Sequence, residues 1–82
     1  MNSDEIVRRL SALIKVDTDA IHAYDEAIDK VTDIVIRDRF LVYRRDHEKH
    51  IESLIEAIRQ LGGTPPQQTT EFKGYLVEGF TR

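Results

Sequence analysis

Apolar residues recur at alternating spacings of four and three along two long segments of the chain. The first stripe comprises Ile6, Leu10, Leu13, Asp17, Ala20, Tyr24, Ala27 and Val31. The second comprises Ile36, Phe40, Tyr43, His47, His50, Leu54, Ala57 and Leu61. Because such spacings return to one side of an α-helix, both segments are predicted to be helices that bury these stripes in a bundle.

The limits of the two helices are set by capping residues. No Pro or Gly occurs between residues 4 and 61, which favours helix throughout. Asn2 or Ser3 is suited to cap the first helix, and Thr32 or Asp33 the second. We therefore predict helices at about 3–30 and 33–61, antiparallel because the connection is short.

The domain organisation follows from the residues after the second helix. Gly62-Gly63 supplies a left-handed C-cap, and Pro65-Pro66 prevents the helix from continuing. The prediction is a helical hairpin over 1–62, a linker over 63–70, and a short C-terminal helix or interface tail over 71–82.

A further apolar stripe predicts an oligomer. It comprises Val7, Ile14, Ile21 and Ile28 on the first helix and Ile51 and Ile58 on the second. One hairpin cannot cover so wide a face, and 82 residues is small for a single core. The predicted fold is all-α: an antiparallel hairpin that forms a homodimer, or a higher oligomer, as a four-helix bundle.

Composition excludes several classes of function. The chain has no Cys, so disulfides and thiolate metal sites are absent. A formal charge of −3 argues against a nucleic-acid partner. The longest apolar runs are far shorter than the ~20 residues that cross a bilayer, and the N-terminus does not resemble a signal peptide. We expect a cytoplasmic protein with no membrane partner.

Three members of the stripes carry chemistry: Asp17, His47 and His50. A hairpin folded about residues 32–35 places Asp17 opposite His50 and the small Ala20 opposite His47. Two His at i and i+3 share one side of a helix and can ligate one metal, with Asp17 supplying a carboxylate from across the hairpin. This donor set suits Fe(II), Zn(II) or Mn(II).

Simpler interpretations stay open. The two histidines could form a surface pair, or Asp17 could hydrogen-bond a histidine and fix the hairpin register without metal. His22 is expected to be solvated on the outer side of its helix. Asp25 is interpreted as part of a wet helix surface, and Glu48 is expected to face solvent.

The chain resembles the ferritin-like, rubrerythrin-related superfamily over about residues 8–80. In that superfamily a carboxylate precedes a Tyr by seven residues, as Asp17 precedes Tyr24, and the next helix carries Glu-x-x-His, matched by His47-Glu48-Lys49-His50. A bacterial group of uncharacterised ferritin-like hairpins is more similar still. Its hairpins end in Leu-Gly-Gly-x-Pro, here Leu61 to Pro65, before an aromatic helix, here Phe72 to Phe80.

The resemblance implies a ferritin-like four-helix bundle, iron, and ferroxidase or peroxidase activity. Two departures weaken the activity: Asp17 replaces the usual Glu, and His47 replaces the Glu of Glu-x-x-His, which removes a bridging carboxylate. The prediction is a metal-binding protein that oxidises or handles iron, with weak ferroxidase activity at most and zinc or manganese as other metals. The alternative is a non-catalytic helical oligomerisation module with a structural Asp-His pair. A fragment of a longer two-hairpin protein also stays open.

Overall fold

A computed structural model describes residues 2–67 and contains two helices, α1 (Ser3–Lys30) and α2 (Ile34–Gln60), packed as a hairpin. Residues 31–33 connect them. The predicted helix limits are confirmed to within one residue. The predicted C-terminal helix over 71–82 lies outside the described residues.

Side-chain caps start both helices. The Oδ1 of Asn2 accepts a hydrogen bond from the Glu5 amide at 2.8 Å. Asp33 Oδ1 accepts from the amides of Val35 and Ile36 at 2.9 and 3.1 Å. Each cap satisfies amides that have no partner within the helix, so these residues fix where the helices begin.

The end of α2 returns the chain onto α1. Gly62 adopts a φ of +79°, and its amide donates to the Arg59 carbonyl at 2.9 Å, while the Gly63 amide donates to the Ile58 carbonyl at 3.0 Å. These two bonds form a Schellman motif, which favours glycine. A Cβ at Gly63 would lie 2.8 Å from a Val7 methyl carbon, so glycine also permits the close approach to α1.

Isoleucines form the centre of the hairpin. The buried apolar residues are Ile14, Ile21, Ile28, Ile51 and Ile58. The prediction that the other stripe forms the buried centre was wrong: Leu13 is 50% exposed, Tyr43 42% and Ile36 43%. The helices are rotated so that the isoleucine rows face each other, and the predicted stripe lies along one edge of the contact.

That edge is an incompletely covered apolar surface, which we call the cluster face and define by Leu13, Val16, Tyr43 and His50. Val16 is 62% exposed, and Leu13 and Val16 line an open groove of about 380 Å³ beside Asp17 and His50. Within residues 2–67, neither helix contains a stretch that is both long and apolar enough to cross a membrane.

Candidate metal centre

The three side chains singled out by their position in the stripes are brought together between α1 and α2. Asp17 Oδ1 lies 2.7 Å from His47 Nδ1 and 3.6 Å from His50 Nδ1. One ligand atom from each of the three residues lies within 4.8 Å of the others. The side chains are 13%, 28% and 64% exposed for Asp17, His47 and His50. A carboxylate therefore lies at the inner wall and His50 at the solvent edge.

The donor set fits a divalent transition metal. Ligand distances of roughly 2.0–2.2 Å place neighbouring donor atoms about 3.0–3.5 Å apart around one ion. The Asp17–His50 separation is already close to that range, whereas Asp17 and His47 are at hydrogen-bond distance and would have to separate by a few tenths of an ångström. Two imidazoles and one carboxylate would hold the ion and leave further coordination positions open.

Aromatic rings pack along one side of the cluster. The Tyr24 ring lies 5.7 Å from the His47 ring, 6.1 Å from Tyr43 and 5.8 Å from Phe40, measured between centroids. Tyr24 of α1 and Tyr43 of α2 therefore meet across the hairpin. These contacts restrict the rotamer of His47, which keeps its Nδ1 directed at Asp17.

The register differs slightly from the sequence prediction. Asp17 was placed opposite His50, with Ala20 opposite His47, yet the shorter distance joins Asp17 to His47. The isoleucine rows face each other, and on α2 His47 lies closer than His50 to the row that contains Ile51. His50 consequently lies at the exposed edge instead of at the centre.

A largely buried ion network around Arg44, which extends to the side of Ile21 away from Asp17, was missed by the sequence reasoning. Arg44 is 2% exposed; its Nε donates to Asp25 Oδ1 at 2.5 Å, and its Nη1 lies 3.1 Å from Glu48 Oε1. The expectations of a solvent-facing Glu48 and a wet Asp25 were wrong, because the side chains are only 9% and 20% exposed. The sequence does contain a signal that Arg44 is buried, because Arg44 shares one heptad position with Ile51 and Ile58.

The buried position of Glu48 is unfavourable for the ionised form of its carboxyl group. Burial raises the pKa of its carboxyl above the usual 4.5, Arg44 opposes this, and Asp25 and Glu52 add to the rise. Its Oε2 has no hydrogen-bond partner among the described residues.

The pKa of Glu48 predicts a pH effect on stability. A carboxyl with a raised folded-state pKa favours the folded state while protonated, and this contribution is lost as the pH rises through that pKa. Between pH 4.5 and neutral pH, the wild type should therefore lose unfolding free energy relative to Glu48→Gln. Parallel urea titrations of both proteins measure this difference. A difference that does not change with pH would contradict it.

His22 lies apart from the cluster. It is half-buried, not fully solvated as predicted, and lines a groove with Lys15 and Asp19 that Pro66 and Gln67 complete. It is therefore a useful control for the two histidines of the cluster.

The sequence of this chain matches the model of a known protein family. The model of a family described as a domain of unknown function, DUF2383, matches residues 5–82. The chain belongs to the DUF2383 family. No curated protein and no solved structure matches it. Since the DUF2383 description assigns no activity, the ferritin-like relationship of the chain stays a prediction.

Proposed function

We propose that this DUF2383 domain is a ferritin-like, metal-binding protein that handles iron in the cytoplasm, with Asp17, His47 and His50 as ligands. The convergence of a carboxylate and two imidazoles within 4.8 Å supports this most directly. Asp17 comes from α1 and lies 30 and 33 positions before the two histidines, which come from α2. Zinc and manganese are the other metals that this donor set suits.

The proposal includes a homodimer formed through the cluster face. Leu13, Val16 and Tyr43 are apolar or aromatic and largely exposed, and they surround the edge of the hairpin where His50 lies. A second copy packed on this face would bury them and complete four helices. It would also bring two clusters together, with two Asp and four His between them.

The imidazole-rich composition limits the expected redox activity. Oxidation removes one electron from each Fe(II), and two Fe(II) with two protons reduce one O₂ to H₂O₂. Bridging carboxylates favour the more highly charged Fe(III) product, whereas neutral His47 adds no negative charge. Iron binding with slow oxidation is therefore the expected behaviour.

Aerobic addition of Fe(II) tests this function. We expect slow growth of Fe(III) absorbance in the wild type, faster growth in His47→Glu, and little above buffer in Asp17→Ala. His22→Ala is the matched control and should behave as the wild type. A fast wild type that His47→Glu slows would contradict the charge argument. Wild-type protein that binds metal but oxidises no iron would indicate a structural Zn(II) or Mn(II) site.

A non-catalytic oligomerisation module is the second candidate. The 2.7 Å Asp17–His47 contact favours it, because a hydrogen bond of this length satisfies the carboxylate without a metal. Purified protein that dimerises, contains no metal and binds none on addition would support this alternative over metal binding.

Leu13→Asp should shift the protein from dimer to monomer at micromolar concentration, because it introduces a charge at the centre of the proposed interface. Val42→Asp, which changes a residue 58% exposed on the outer side of α2, should leave the dimer intact. Sedimentation velocity distinguishes the two masses. A wild type that remains a folded monomer of about 9.5 kDa would contradict the proposed dimer.

A further inference from the structure

Two different rows of α2 have the seven-residue spacing that allows a row to face α1. The observed central row is Arg44, Ile51 and Ile58, and a second row three residues on comprises Phe40, His47, Leu54 and Leu61. Each row repeats at seven residues, and three residues along a helix correspond to a rotation of about 60°. The second row contains more apolar side chains, so apolar burial alone does not select the observed packing.

The buried ions do distinguish the two packings. Asp17 and Asp25 lie four residues before and after the buried Ile21. Their side chains therefore project from α1 at about 40° to either side of the Ile21 side chain, measured around the helix axis. Asp17 contacts His47 on one side, and Asp25 contacts Arg44 on the other. Rotating α2 by ~60° would remove Arg44 from Asp25 and turn His47 into the apolar centre.

The ion network is a poor source of stability. Burying Arg44 and Glu48 and partly burying Asp25 costs desolvation, and the Glu48 Oε2 has no hydrogen-bond partner within residues 2–67. Replacing such a network by apolar side chains of similar volume is commonly neutral or stabilising. We therefore expect the network to influence which of the two helix packings forms and not to raise the free energy of unfolding.

We propose that Asp25, Arg44 and Glu48 are positioning residues, which hold α2 at the rotation that presents His47 and His50 to Asp17 at the open edge. The Arg44–Asp25 contact joins the helices, and Glu48, one turn after Arg44, holds the guanidinium between two carboxylates. This inference rests on the proposed metal-binding function, which needs both histidines beside Asp17 and accessible to an entering ion.

The test is Co(II) binding to the full chain, followed by visible absorption, which reports coordination geometry. In Asp25→Leu/Arg44→Met/Glu48→Leu we expect an unfolding free energy equal to or above that of the wild type. We also expect Co(II) affinity to fall about tenfold or more with a changed spectrum, as for other residues that orient metal ligands. Arg39→Met, an exposed Arg-to-Met change on the same helix, should leave affinity and spectrum unchanged.

Asp25→Asn provides a second variant that preserves shape and an acceptor for Arg44. It should lower the affinity less, but in the same direction, with Asp38→Asn as the matched exposed control. A folded triple variant with wild-type affinity and spectrum would overturn the inference. If the triple variant does not fold, wild-type binding by Asp25→Asn would overturn it instead. A wild type that binds no Co(II) would refute the proposed function as well.

Discussion

Replacing Ile21 with Ala is expected to lower the free energy of unfolding by about 2–5 kcal/mol. Ile21 is fully buried at the middle of α1 and belongs to the core cluster with Ile14, Ile51 and Ile58. Removing its side-chain carbons loses their transfer free energy and leaves a cavity that two straight helices cannot easily close. Because small domains have about 5 kcal/mol in total, a loss at the upper end of this range would unfold much of the population.

Urea denaturation followed by helical circular dichroism measures the effect of Ile21→Ala. Val42→Ala is the matched control, since Val42 is 58% exposed on the outer side of α2 and should change stability by less than about 0.5 kcal/mol. Equal losses in the two variants would show that the isoleucine rows are not the centre of the hairpin.

Removing any one ligand of the candidate centre should reduce metal affinity by at least about 100-fold, since even residues that only orient ligands are worth 10–100-fold. The variants are Asp17→Ala, His47→Ala and His50→Ala, compared with His22→Ala, which should bind as the wild type. Competition titration with a chromophoric Zn(II) chelator gives the dissociation constants.

The same variants show whether α1 and α2 both contribute to metal affinity. Loss of binding in both histidine variants but not in Asp17→Ala would limit the site to α2 and remove the role of the hairpin. Equal affinity in all four variants would show that the three residues are not ligands.

The helices were predictable because their signals are local. Asn2 and Asp33 cap the starts of the two helices, and Gly62 ends the second helix. No Pro or Gly between residues 4 and 61 favours a break within either helix. The convergence of Asp17 with His47 and His50 was predictable as well, because hairpin geometry fixes which residues of the two helices lie at one level.

The rotation of the helices could not be read from apolar spacing. Two seven-residue rows, one containing Ile21 and the other Asp17 and Tyr24, lie close together on α1, and period alone does not rank them. The deciding contacts involve Arg44 and Glu48, and charged residues are seldom fully buried. The contact of Arg44 with Asp25, 19 residues earlier in the sequence, is visible in the folded hairpin but not in the spacing of apolar residues.

The most direct measurement is the anomalous X-ray scattering of crystals of the Co(II)-loaded protein. A metal centre predicts an anomalous peak about 2.0–2.2 Å from a carboxylate oxygen of Asp17 and from one nitrogen each of His47 and His50. A second cluster across a two-fold axis would add support for the dimer. An Asp17–His47 hydrogen bond that persists, with no peak between the three side chains, would contradict metal binding at this site.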